Sequence, residues 1–293
     1  MGLTDKAILR SVLYGDIFDF SLTKDEIFRY LISSQPLPQN SVRYSTEKLI
    51  KQNILVETDG YITLPRRQRL ALDRKRNKDL CKEKYEIAQK AAGILQSIPS
   101  LLFVGISGSV AVNNTKLDDD IDLFVISEGD SMWMTRLLAL FYLSKHGMRR
   151  TRGNFHEKNT ICMNMFLSEQ ELVFPKSRQD IYTAHEIVQL RPLFSRNNTF
   201  ERFIKKNHWT SYYLPHALSV FDDTELPASS KRGIWYTKPM LQFVEFMQRI
   251  YMHPHKTTET VTETLFAFHP QDYRQKVLNQ YKSKLQQYHL SEI

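Results

Sequence analysis

The sequence predicts an α+β protein, helical at both ends, with a short block of strands between. Three observations predict it. Apolar residues recur at helical spacing near the N-terminus, at Ile8, Leu9, Val12 and Leu13, and the chain beyond Pro175 is mainly of helical pattern. The middle of the chain carries apolar, β-branched runs that read as buried strands, one from Phe103 and one at Leu123-Phe124-Val125-Ile126. With 293 residues, 42% hydrophobic and 25% charged, there is material for a sizeable core and more than one domain, and wholesale disorder is excluded.

Residues 1–65 read as one unit. After the first helix, Thr23 and Glu26 form a capping-box pattern ahead of Ile27, Tyr30 and Leu31. A third helix is expected from Ser41 to Gln52. Ile54-Leu55-Val56, a turn at Asp59-Gly60 and Tyr61-Ile62-Thr63-Leu64 then give a hairpin signal. Three helices and a hairpin in this order resemble a winged helix-turn-helix, which implies duplex DNA binding through the third helix. That helix offers Arg43, Lys48 and Lys51 but also Glu47, so the electrostatic footprint for nucleic acid is thin and a packing role is preferred.

Residues 66–99 are basic and helical, with Leu70, Leu80, Tyr85, Ala88, Ala92 and Leu95 as the apolar stripe. The expected role is a long connecting helix whose charges are solvated; a nucleic-acid contact is the alternative. Ile98-Pro99 ends it.

Residues 100–175 hold the chemistry. The strand from Phe103 ends in a glycine turn, Ser107-Gly108-Ser109. About ten residues later come Asp118, Asp119, Asp120 and Asp122, and the last two flank Ile121 at the start of the next strand. Residues two apart on a strand share a face, so Asp120 and Asp122 project together. Two carboxylates on one face repel unless a cation lies between them, and oxygen ligands suit magnesium.

A glycine-serine turn after a strand, followed at this spacing by Asp-apolar-Asp entering another, resembles the signature of the polymerase-β-type nucleotidyltransferases. The resemblance implies a small mixed-sheet catalytic domain, with Gly108 and Ser109 at the triphosphate and Asp120 and Asp122 on magnesium in a two-metal site. It implies an NTP as substrate, with ATP the default expectation, and leaves the acceptor open. Beyond the motif, the stretches GDIFDFSLTKDEIFRYL, SGSVAVNNTKLDDDIDLFVIS, TICMNMFLS and DIYTAHEIVQL resemble a family of prokaryotic nucleotidyltransferase-domain proteins.

After the aspartate strand, Gly129-Asp130 marks a turn, and a helix around Trp133 to Leu143 is apolar almost all round and therefore expected to be buried. Gly147 ends it. The basic loop Arg149-Arg150-Thr151-Arg152-Gly153 could reach a triphosphate or remain solvated. A third strand is expected from Thr160 to Leu167, with Thr160, Cys162, Asn164 and Phe166 on one face. The superfamily supplies a third carboxylate from a neighbouring strand or a following helix. On this strand Asn164 is the possible third-ligand position; its amide offers an oxygen but takes up no proton at pH 7.

Residues 176–293 are read as a helical C-terminal domain, with an amphipathic helix from Asp180 to Leu190 and later helices over 200–213, 238–252 and 270–287. Glu186 is the candidate general base in place of the missing carboxylate, with His185 beside it; the alternative is a surface helix carrying an ordinary polar pair. Residues 227–238 have loop composition. His253, His255 and His269 surround proline-containing joints without acidic partners at ligand spacing, and carry little weight as a metal site.

Cys81 and Cys162 are too few and too far apart for a disulfide framework. The N-terminus lacks the apolar core of a signal peptide, and Lys6 stands where a myristoylation signal wants Ser or Thr. A cytoplasmic protein without a membrane partner is expected. The net charge of +8 suits phosphate or nucleic-acid handling but is also ordinary. Two functions follow: a magnesium-dependent transferase of nucleoside monophosphate from an NTP to an acceptor, or a nucleotide-binding regulator with weak catalysis and a winged-helix output.

Overall fold

The computed structural model describes residues 1–150, 158–218, 236–252, 260–261, 265–267 and 271–293. Arg152 of the basic loop, the three histidines at 253, 255 and 269, and most of the 227–238 segment lie outside them.

Helix α1 (Leu3–Ile17) buries Ile8, Leu9, Val12 and Leu13, as their spacing predicts. Helix α2 (Lys24–Arg29) opens on the expected capping box: Thr23 Oγ1 accepts from the Glu26 N–H at 3.2 Å, and Glu26 Oε2 accepts from the Thr23 N–H at 2.9 Å. Helix α3 (Gln39–Lys51) leads to a hairpin of β1 (Val56–Thr58) and β2 (Tyr61–Thr63). Asp59 and Gly60 turn it with φ of 52° and 82°, both left-handed, as the right-handed twist of a two-residue hairpin requires. The core of this unit is not its own. It runs on into α8 (Ile181–Val188) and α11 (Gln271–Gln287) through Ala184, Val188, Val277, Tyr281 and Leu285.

The basic run is two helices, α4 (Arg69–Arg76) and α5 (Lys78–Leu95), instead of one. Nor are all its charges solvated. Arg74 is buried and holds Glu26 through both guanidinium ends, at 2.6 and 2.5 Å, while its Nη1 also donates to the Ser21 carbonyl. Its guanidinium lies 4.4 Å from the Phe20 ring centroid. Lys84 is buried completely.

The main sheet has six strands in the order β6-β3-β4-β5-β8-β7. Strands β3 (Leu101–Ile106) and β4 (Ile121–Ser127) are the two predicted runs and pair antiparallel. Strand β5 (Ile161–Ser168) is parallel to β4, joined to it by α7 (Met132–Lys145), and every other pairing is antiparallel. The sheet is therefore mixed, and the fold class is α+β.

Three strands come from the stretch read as helical. Strand β6 (Arg191–Ser195) pairs with β3 at one edge, where Pro192 is tolerated because an edge strand has a non-bonded side. Strands β7 (Thr260–Val261) and β8 (Leu265–Ala267) extend the other edge.

One sheet face packs on α5, α7 and α10 (Lys238–Met252), with Leu123, Val125 and Phe166 meeting Ala91, Leu143 and Val244 in one cluster. The other face packs on α8 and α9 (Thr199–Lys206), through Phe103, Phe124, Phe200 and Phe203. Helix α7 is not buried all round: Trp133, Ala139 and Leu143 face the core, while Leu137 and Phe141 stay exposed. Among the described residues no helix is long and apolar enough to cross a membrane.

Candidate active site

The glycine turn and the aspartate strand meet at the end of β3. Gly108 has φ +63°, and a Cβ built on it would lie 2.7 Å from Asp122 Oδ2. Only glycine supplies both the left-handed backbone and the empty space that Asp122 fills. The helix that follows, α6 (Gly108–Ala111), is a single turn.

Ser109 is engaged within the chain. Its Oγ donates to Asp119 Oδ2 at 2.9 Å, and the same oxygen accepts from Thr115 Oγ1 at 3.2 Å and from the Lys116 N–H at 2.8 Å. Asp119 thus organises the loop that delivers Asp120, a role the sequence reading missed. Thr115 and Lys116, four and three residues before Asp119, carry a local side-chain-to-backbone signal that would have found it.

Asp120, Asp122 and Cys162 gather their ligand atoms within 4.8 Å of one another. Asp122 is pushed up from 3.8 to about 7, first by burial and then by the charge of Asp120. Burial pushes the Cys162 thiol far up as well, so it is a neutral S–H. The Arg150 guanidinium places one nitrogen 2.7 Å from Asp120 Oδ2 and 3.9 Å from Cys162 Sγ. Arg150 already stands against this cluster, whose ligand atoms are close enough together to hold a divalent cation. Asp120 and Asp122 are the hard oxygen ligands that magnesium prefers.

On β5 it is Cys162, and not Asn164, that stands opposite Asp122. Cys162 pairs with Asp122 and Met163 with Leu123, but Phe124 pairs with Met165. Asn164 is the extra residue of a β-bulge, and it is 3% exposed. The bulge breaks the alternation expected from Thr160 to Phe166, so Phe166 turns to the opposite face and packs with Val125. Neither Asn164 nor Cys162 lines the cavity that Asp120 and Asp122 share.

Gly108, Ser109, Asp120, Asp122 and Glu186 line one cavity of about 530 Å³. Helix α1 contributes Tyr14 and α11 contributes Tyr273, and Phe18 and Phe20 follow from the turn after α1. Helix α8, capped by Asp180 Oδ1 accepting from the Thr183 N–H at 2.9 Å, is buried at every position except Glu186. The helix is no surface element: it is wedged between two apolar clusters, with Ile187 in one and Ala184 and Val188 in the other. Its one partly exposed side chain opens on the cavity.

Burial raises Glu186 from 4.5 to about 7. No hydrogen bond or ion pair of its carboxyl is formed with the described residues. Its charge in turn raises Tyr14, Tyr182 and Tyr273, after the larger effect of their own burial. His185 is held neutral, lowered by burial to about 4. Its Nδ1 donates to the Ile181 carbonyl at 2.9 Å and its ring stacks on Tyr14 at 4.0 Å. His185 is therefore a fixed wall and not a proton carrier near neutral pH.

The cavity as a whole brings two carboxylates, a glycine turn and a third carboxyl of raised pKa into one space, an arrangement suited to acid–base chemistry beside a metal-bound anion. No protein-family model, curated protein or solved structure matches this chain.

Proposed function

We propose that the protein is a magnesium-dependent nucleotidyltransferase, moving a nucleoside monophosphate from an NTP to a hydroxyl-bearing acceptor and releasing pyrophosphate. The single observation that carries this reading is the shared cavity of Gly108, Asp120, Asp122 and Glu186. The sheet is read as a polymerase-β-type catalytic sheet on the same grounds. Asp120 and Asp122 would hold the metal, which when bound neutralises charge on the phosphates and the leaving pyrophosphate. Arg150, lying against Asp120 at 2.7 Å, adds positive charge beside the aspartates. Gly108 lets backbone N–H groups approach an anion closely.

Glu186 takes the proton of the attacking hydroxyl. Cys162, in the place of a carboxylate, is a neutral thiol and accepts none. A carboxyl near pKa 7 is matched to proton uptake at neutral pH. The winged-helix-like unit supplies a wall of the cavity through α1, and Lys48 of its third helix is bound to Asp5 at 2.6 Å. Transfer from α-labelled NTPs into pools of small molecules, proteins and RNA tests the reading. Label in any pool that disappears in Asp120→Asn supports it; the same transfer by that variant contradicts it.

A second reading, a nucleotide-binding regulator with the N-terminal unit as its output, is favoured by one observation: among the described residues the group clustered with Asp120 and Asp122 is the Cys162 thiol and not a carboxylate. Duplex DNA binding with a log–log salt slope of several units would support it. Absence of binding at low salt leaves the N-terminal unit as a wall.

A further inference from the structure

Among the described residues Lys84 has no carboxylate partner, though three aspartates lie nearby. Its side chain is 0% exposed, among the largest fully buried in the described residues. From α5 its ammonium donates to the carbonyls of Lys116 at 2.7 Å and Leu117 at 3.3 Å, and to that of Asp119. An ammonium has three protons, and three carbonyls take them.

Those carbonyls belong to the loop that ends at Asp120. Burying a lysine is costly, and burial does push Lys84 down from its ordinary value, with Asp119, Asp120 and Asp118 pulling the other way. An apolar side chain would pack at lower cost were it not for the loop. A shorter connection from Val112 to Asp120 would not need the lysine either. The ammonium therefore acts on the path of this loop. Asp119 carries the same constraint onward, since its side chain gathers Ser109, Thr115 and the Lys116 N–H. Ser109 stands one residue beyond Gly108, whose open space is filled by Asp122. Both halves of the site, turn and aspartates, are thus tied to one buried charge on a helix outside the motif.

We propose that Lys84 is a positioning residue, which holds loop 116–119 so that Asp120 and Asp122 are presented together, and so sets the affinity of the site for a divalent cation. This rests on the reading of those aspartates as metal ligands. A lysine acting only as a charge has the opposite effect: its positive end repels a cation, and its loss tightens binding. The sign of the change therefore separates position from charge.

The test is Mn²⁺ affinity of the full chain, from the paramagnetic resonance signal of the free ion, with folding followed by circular dichroism. Four proteins are compared: the parent, Lys84→Met, Asp119→Asn and Arg196→Met. Arg196 is the control, a buried cation whose Nη1 donates to the carbonyls of Pro99 at 2.7 Å and Leu101 at 2.9 Å, at the far end of β3. The expected result is at least tenfold weaker binding in Lys84→Met and in Asp119→Asn, with Arg196→Met unchanged. Equal or tighter binding in Lys84→Met overturns the proposal, whatever Asp119→Asn shows. Should Lys84→Met fail to fold, Lys84→Arg decides: it keeps the charge but alters the fit to the three carbonyls, so weaker binding supports the proposal and equal binding overturns it. Absence of Mn²⁺ binding by the parent removes the metal reading itself, a different failure from parent and variants binding alike.

Discussion

Cys162 stands opposite Asp122 across the parallel pair β4–β5, its sulfur among the ligand atoms that lie within 4.8 Å of one another. A carboxylate there would complete an all-oxygen set. Cys162→Asp is expected to lower the melting temperature in chelator by roughly 2–8 °C, because a third carboxylate joins a pair that already repels. Millimolar Mg²⁺ should recover the loss, and Mg²⁺ affinity should exceed that of the parent. Cys162→Ser should change neither. Thermal melts with and without Mg²⁺ check this, and a Cys162→Asp variant indifferent to Mg²⁺ would count against a metal at this position.

Asn164→Asp should behave in the opposite way. The sequence offers Asn164 as a possible third-ligand position, where an added carboxylate would be tolerated or even raise activity. Asn164 is instead buried at the bulge, so a charge there is expected to cost about 1–3 kcal/mol, without a gain in metal affinity. Chemical denaturation with and without Mg²⁺ measures both effects.

These two residues also mark where the sequence was and was not legible. Asp120 and Asp122 do lie together, but strand alternation is not the reason: Asp120 precedes β4 and is delivered by the loop that Asp119 holds. On β5 the alternation itself failed, because a bulge is one inserted residue and leaves no trace in a hydrophobic pattern. The capping box at Thr23 and the turn at Asp59-Gly60 were legible because both are local. Lys84 was not, because a charge in a basic helix reads as solvated until the distant loop that surrounds it is known. Strands β6 to β8 were missed since each is five residues or fewer and is stabilised by neighbours far away in sequence. The burial of α8 was hidden for the same reason: its polar pair looks ordinary until α1 and α11 close over it.

Gly108→Ala should damage the site more than the fold. Its φ of +63° strains an alanine, and the new methyl would meet Asp122 Oδ2. A loss of about 1–3 kcal/mol is expected from the strain. Divalent-metal binding should weaken in the same protein, since the displaced group is the carboxylate itself. Calorimetry on the folded variant reads this. Metal affinity equal to the parent's would show that Asp122 does not depend on the turn.

Glu186→Gln should lower turnover by ~10²–10⁴-fold with triphosphate affinity nearly unchanged. It should also stabilise the protein above neutral pH. In the folded chain Glu186 sits at about 7 instead of 4.5, so between these values the folded state binds the extra proton. Its contribution to stability therefore falls as pH rises through that window and remains unfavourable above it. His185, lowered to about 4, acts in the opposite sense between about 4 and 6.5. Comparing parent and variant removes the histidine, which both share. The advantage of Glu186→Gln should grow from about pH 4.5 to 7 and then level, at on the order of 1–3 kcal/mol. A difference independent of pH would mean that Glu186 titrates normally.

The most direct measurement is calorimetric titration of ATP, GTP, CTP and UTP into the protein, with Mg²⁺ and with chelator, for the parent and for Asp120→Asn and Asp122→Asn. The expected result is Mg²⁺-dependent binding of at least one triphosphate that either substitution weakens by tenfold or more while circular dichroism shows the fold intact. Triphosphate binding that persists unchanged in both variants, or no binding of any of the four to the parent with Mg²⁺, would contradict the nucleotidyltransferase reading.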